Sequence, residues 1–240
     1  MKQALYTSPL LAALALLSAC GDTGQVRLSY PIVARGVSAA AFQAGDWTVT
    51  LDEAQLLFGP VFFCASVIAA ADLCPSAQAE FTEVAVINLL DPNPQALGEV
   101  NSIEGVINSL IFDYGVTWFV SQDSPQLVSN ELNGQSAIFS GAAAHPDGRT
   151  LEFSADLLIA PSIRGGFAVQ LGGTKAEILS DDVQVEVAFD VTSWWAKIDF
   201  EVLAASGEPR VIIVPGSTAH SSLIISMTAN DTPSFEWSQP

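Results

Sequence analysis

The 240-residue chain sets 26 acidic residues against eight basic ones, a formal charge of −18, and half of its residues are hydrophobic. A field of that sign repels phosphate backbones and anionic headgroups, which excludes nucleic-acid binding and electrostatic adhesion to a membrane surface. The apolar fraction can fill a large core, and no fixed-period repeat, low-complexity linker or block of like charge divides the chain, so one domain is expected.

In chain order, Lys2 supplies a positive start and Leu10–Leu17 (LLAALALL) an apolar run. That run is far short of the roughly 20 residues of a membrane-spanning helix, and it reads as an export signal. Leu17, Ser18, Ala19 and Cys20 follow as LSAC. This tetrapeptide resembles the lipobox of bacterial lipoproteins, in which the cysteine thiol takes diacylglycerol and the chain is cut just before it. The resemblance implies a signal peptide over 1–19 and an acylated Cys20 as the first mature residue; the run after it, GDTGQVRLSY, reads as part of a tether over 20–30 that leads into a single folded domain over 31–240. Two or three acyl chains, such as palmitate, at about 0.8 kcal/mol per buried CH₂ make release slow. Gly21 follows the cysteine, where aspartate is the usual inner-membrane retention signal, and this favours delivery to the outer membrane, facing the periplasm or the cell surface. Cleavage removes Lys2 alone among the charged residues, leaving seven basic against 26 acidic, or −19.

Beyond the tether, strand signals dominate. Val26–Val33 (VRLSYPIV) is the first. Gly45–Phe63 then places Trp47, Val49 and Leu51 on one face and turns more apolar until Gly59-Pro60 interrupts it. The run GDWTVTLDEAQLLFGPVFFC, Gly45 to Cys64, resembles the opening segment of a group of bacterial envelope lipoproteins to which no activity is assigned, and implies an exported domain. Cys64–Cys74 (CASVIAAADLC) fits a short turn of helix, and Glu83–Leu90 and Gly105–Phe119 fit further strands. Ser136–Ile159 holds two strand-like runs around His145-Pro146-Asp147-Gly148, a hairpin signal; Phe167–Leu179 reads as a second hairpin turning at Gly172-Gly173. Val183, Val185, Val187 and Phe189 alternate with polar residues as a half-buried strand. Thr192–Ala204 suits a short helix after it, and Arg210–Val214 and Ser221–Thr228 two last strands. Nine to eleven short strands with one or two helices describe an all-β, antiparallel sandwich, immunoglobulin-like or barrel-like.

Few residues offer chemistry. With Cys20 acylated, Cys64 and Cys74 remain in a compartment that permits oxidation, so a disulfide worth on the order of 2–3 kcal/mol is expected. Two histidines, His145 beside the hairpin turn and His220 next to Ser221 and Ser222, are too few for a transition-metal site. No GxSxG elbow, HExxH helix or P-loop occurs. Carboxylates are plentiful. Glu177 and Glu186 on neighbouring strands would suit a glycan-active enzyme. Asp181, Asp182 and Asp190 form the densest acid group, though without the spacing of a dedicated calcium loop. Trp194 and Trp195 diverge to opposite faces if their segment is extended, which would expose one ring as an interface anchor; both could be buried if the segment is helical and covers a sheet end. The reading is an acylated outer-membrane lipoprotein with a non-catalytic binding or structural domain and no cofactor. Its partners are the membrane, through the acyl chains, and an envelope protein or glycan. The alternatives are a carboxylate-dependent glycan-active enzyme and a calcium-binding envelope protein.

Overall fold

In the computed structural model, residues 24–37, 41–67, 77–117, 126–127, 131–159 and 169–239 are described. Sixteen strands lie among them: β1 (Arg27–Gly36), β2 (Ala41–Ala44), β3 (Trp47–Phe58), β4 (Val61–Cys64), β5 (Ala77–Phe81), β6 (Ala85–Asn88), β7 (Gln95–Ile103), β8 (Gly105–Phe112), β9 (Val116–Thr117), β10 (Gln126–Leu127), β11 (Ala137–Ala144), β12 (Thr150–Leu157), β13 (Val169–Ile178), β14 (Gln184–Phe189), β15 (Arg210–Ile213) and β16 (Ser234–Ser238). Three short helices accompany them: α1 (Val191–Trp195), α2 (Phe200–Ala204) and α3 (Thr218–Ile225). The fold is all-β, as the sequence indicates, with more strands than the nine to eleven expected.

Two large sheets share one continuous core. The first, in the order β13-β8-β4-β5-β7-β1-β14-β16, curls into a nearly closed barrel; the second runs β15-β12-β11-β3-β2, with β6 also on β3, and β9 and β10 pair by themselves. Most ladders are antiparallel, the exceptions being β1 with β14 and β12 with β15. The alternation of β3 explains its place. Trp47, Val49 and Leu51 are buried while Thr48, Thr50 and Asp52 are exposed, as the two-residue period of a half-buried strand requires. From Leu56 to Phe58 every side chain is buried, because here the chain passes between the sheets. The cis Gly59-Pro60 bond then turns it into β4 of the other sheet.

Several expectations are corrected. The strand β1 starts at Arg27, and Leu28 and Tyr30 are buried, so the tether ends earlier than residue 30. Gly172-Gly173 do not turn a hairpin. The strand β13 runs straight through them, opposite β8, and the register shifts between Gly172 and Ala176, so the glycines mark a bulge rather than a reversal. Ser221–Thr228 is helical, forming the end of α3 and a π-helical turn, Ser226–Asn230. The Ser217 hydroxyl accepts from the His220 amide at 3.2 Å, capping the helix, and Ala219, Leu223, Ile224 and Met227 are buried at helical spacing. The helix expected within Cys64–Cys74 falls mostly outside the described residues. Among the described residues no helix is long and apolar enough to cross a membrane.

Candidate functional site

The two lone tryptophans of the α1 segment are not a surface patch. Asp190 caps the helix, its carboxylate accepting from the Thr192 amide at 3.0 Å, and the helical turn swings both indoles inward, where each is fully buried. Trp194 donates its Nε1–H to the Asp231 carbonyl at 2.7 Å. Trp195 packs on Phe153, Phe139 and Phe200, with ring centroids 4.7, 5.5 and 6.4 Å away. The anchor role expected for an exposed ring is therefore withdrawn for both residues; the helical alternative is the one the chain adopts.

The acid group is dispersed as well. Asp181 and Asp182 precede β14 and Asp190 follows it, so the six-residue strand holds them about 20 Å apart at roughly 3.3 Å per residue. Asp181 accepts from the Ser29 amide at 2.9 Å, and Asp190 is committed to its cap. Among the described residues no three His, Cys, Asp or Glu side chains converge on a position for a metal ion. Nor are Glu177 and Glu186 on adjacent strands: β13 and β14 belong to opposite ends of the sheet order, with β16 beyond β14, and Glu186 is bound to Arg35 at 2.5 Å. Cys20 and Cys74 lie outside the described residues; Cys64 is fully buried at the end of β4.

Both histidines have structural surroundings. His145 is only 16% exposed in its side chain, not the open loop residue its turn position suggests. It lies against Trp47, ring centroids 5.1 Å apart, within a clasp that joins β3, the β11–β12 turn and α2. Arg149 is the centre of that clasp. Its guanidinium grips Glu201 with two bonds of 2.8 and 2.9 Å, binds Asp147 at 2.8 Å, and sits 5.1 Å over the Trp47 ring, while Trp47 Nε1–H donates to Glu201 at 3.2 Å. The Arg149 backbone amide, then its guanidinium and His145, hold the Asp147 carboxyl well below the usual carboxylate range; hydrogen bonds from the Arg149 side chain lower the Glu201 carboxyl from its ordinary value. His220 differs: it is buried in α3, its Nε2 has no hydrogen-bond partner, and burial pushes its imidazole below the ordinary value.

These shifts set the acid response. A carboxyl with a depressed folded value contributes stability above its unfolded value, near 4, and loses it as the pH falls further; a buried neutral histidine contributes above about 6.5 and loses it below. Thermal midpoints measured from pH 7 to pH 2 should therefore fall in two stages. The stage below about pH 4 should be partly flattened in Arg149→Gln, which removes the guanidinium from both carboxylates but leaves the residue-149 amide and His145 on Asp147, and the stage below about pH 6.5 should be unchanged by that substitution.

A seam interrupts the eight-stranded sheet. The strands β13 and β16 end the eight-stranded sheet, no ladder joins them, and between them lies a groove of about 890 Å³. Its walls include Lys175, Glu177, Asp182, Phe235, Glu236 and Trp237. Phe235 and Trp237 point into the barrel, with ring centroids 5.8 Å from Phe112 and Phe63 respectively, yet both are only half-buried, and no strand among the described residues covers them. Glu236 and its neighbours Ser234 and Ser238 face outward. Sequence reasoning missed this place. The only signals were an alternation of Phe235 and Trp237 with polar residues and the exposed Glu177, and neither tells that two strands 56 or more residues apart would stop short of each other. Comparison of the chain with family models, with curated proteins and with solved structures finds no match.

Proposed function

We propose that this chain is an acylated cell-envelope lipoprotein, held at the outer membrane through Cys20, whose all-β domain is a non-catalytic binding module braced by a Cys64–Cys74 disulfide. The LSAC run at Leu17–Cys20 supports the anchor. The observation that carries the binding role is the unclosed seam between β13 and β16, where aromatic side chains of the core stand half-open to solvent. Concave, partly apolar clefts with a few polar groups on their rims are where proteins take ligands.

A carboxylate-dependent glycan-active enzyme draws support from Glu177 and Glu236 on opposite rims of the same groove. Such chemistry calls for one carboxylic acid kept protonated in a shielded, apolar setting, and both side chains are exposed. The binding reading is the better supported.

The test uses the full chain in its native envelope, with a photo-crosslinking residue placed at Ser238 on the groove rim or at Ser206, beyond α2. Adducts from position 238 and none from position 206 are expected, together with palmitate labelling that Cys20→Ser abolishes. Absence of adducts from position 238 would overturn the binding role, and normal labelling of Cys20→Ser would overturn the anchor.

A further inference from the structure

We infer that the seam is a strand-acceptor site, filled by an extended segment of a partner protein in which basic and apolar residues alternate. The inference rests on the binding-module reading and says what the groove takes.

Three observations converge on that occupant. The first is backbone. Among the described residues β13 pairs only with β8, and β16 only with β14, so each presents an edge without a ladder to the same groove. Free N–H and C=O groups repeated along two facing edges match a polypeptide strand, and adding a strand to an open edge is an established mode of peptide recognition. Following the ladders around the sheet, β13 and β16 run in the same sense. One strand entering antiparallel to both would make an antiparallel ladder on each side and close the barrel.

The second is periodicity. On both walls inward and outward residues alternate: Ala176 and Ile178 face in while Glu177 faces out, and Phe235 and Trp237 face in while Glu236 faces out. A strand between them alternates likewise. Its inward residues would cover the half-buried aromatic rings, so they are apolar. Five residues of β16, at about 3.3 Å each, give the length of segment the seam can pair.

The third is charge. The rim carries Glu177, Asp182 and Glu236 against Lys175, and the chain as a whole carries −18. Outward residues of the guest lie beside Glu177 and Glu236, so they are lysine or arginine. The same balance disfavours a second copy of this chain, which would bring an equal negative field to the seam.

Calorimetric titration of the acylated full-length protein in detergent tests this, with an end-capped eight-residue peptide of alternating lysine and leucine as probe. Expected are saturable 1:1 binding weakened by salt, at least tenfold weaker binding of the same peptide with every second amide N-methylated, and at least tenfold weaker binding of the glutamate-for-lysine peptide. The double variant Glu177→Lys/Glu236→Lys changes two exposed side chains; it should keep the wild-type thermal midpoint, lose at least tenfold in affinity for the lysine peptide and gain affinity for the glutamate peptide. Asp156→Lys/Glu208→Lys makes the same change of charge on exposed residues outside the groove and should bind as wild type does. Equal affinity for parent and N-methylated peptides, equal loss in both double variants, or no binding at all would overturn the inference. If adducts still form from position 238, the groove binds something else and only this inference falls; if they do not, the binding-module reading falls with it.

Discussion

Replacing Trp195 by alanine is expected to cost the domain about 3–5 kcal/mol, the range for removing a fully buried aromatic side chain. At roughly 2–4 °C per kcal/mol for a domain of this size, the thermal midpoint should drop by about 10 °C. The ring is enclosed by Phe139, Phe153 and Phe200, side chains of β11, β12 and α2 that are themselves buried, so the space left behind cannot close without parting α1 from the sheet. Trp195→Phe separates packing from polarity. The indole Nε1–H of Trp195 is buried without a hydrogen-bond partner, and such a group costs about 1–3 kcal/mol of desolvation. Phenylalanine removes that penalty while keeping most of the contact, and should recover most of the loss in urea or thermal unfolding. A loss under 1 kcal/mol in the alanine variant would show that the α1 segment does not hold its ring in the core.

The second large effect is expected at Gly141→Ala, which should cost about 3 kcal/mol, the upper part of the range for overpacking a core. A Cβ built at Gly141 would stand 2.2 Å from the Thr50 carbonyl oxygen and 2.9 Å from the Phe153 ring. Neither neighbour can yield: the Thr50 carbonyl is backbone of β3, held between β2 and β11, and Phe153 is locked under Trp195. The register of β11 on β3 shifts between Ser140 and Gly141, and it is this irregularity that brings the two backbones so close. Ala142→Ser is the control, because Ala142 points outward, and it should leave the urea midpoint within about 0.5 kcal/mol of wild type.

What could be read in advance follows physical lines. The run Val183 to Phe189 and the Trp47, Val49, Leu51 face were legible because alternation is a local property, and one buried face imposes it residue by residue. The hairpin at His145-Pro146-Asp147-Gly148 was legible for the same reason: turn chemistry acts within four residues. Ser221–Thr228 misled because Leu223, Ile224 and Ile225 form an apolar run too short to show a period, and the deciding signal, the Ser217 cap, lies outside the run. Gly172-Gly173 misled because a glycine pair serves a bulge as readily as a turn, and only the partner strand decides which. The groove was invisible for a deeper reason. It is made by the failure of β13 and β16 to meet, and no residue in either strand encodes the distance to the other.

The position of β1 has a consequence in time. Ile32 is paired with Val185 on one side and Gly98 on the other, so β1 must wait for residues about 150 positions later before its second edge is satisfied. Joining segments so far apart carries a loop-closure cost that rises with the logarithm of the separation, and chains dominated by such contacts fold slowly. Until β14 arrives, β1 is an open edge, and β16 can be laid down only after β14 is in place. The order of assembly is thus written into the sheet: the pairs β11–β12 and β4–β5 are near neighbours in sequence and can form early, while the wall that borders the groove is among the last parts of the molecule to exist.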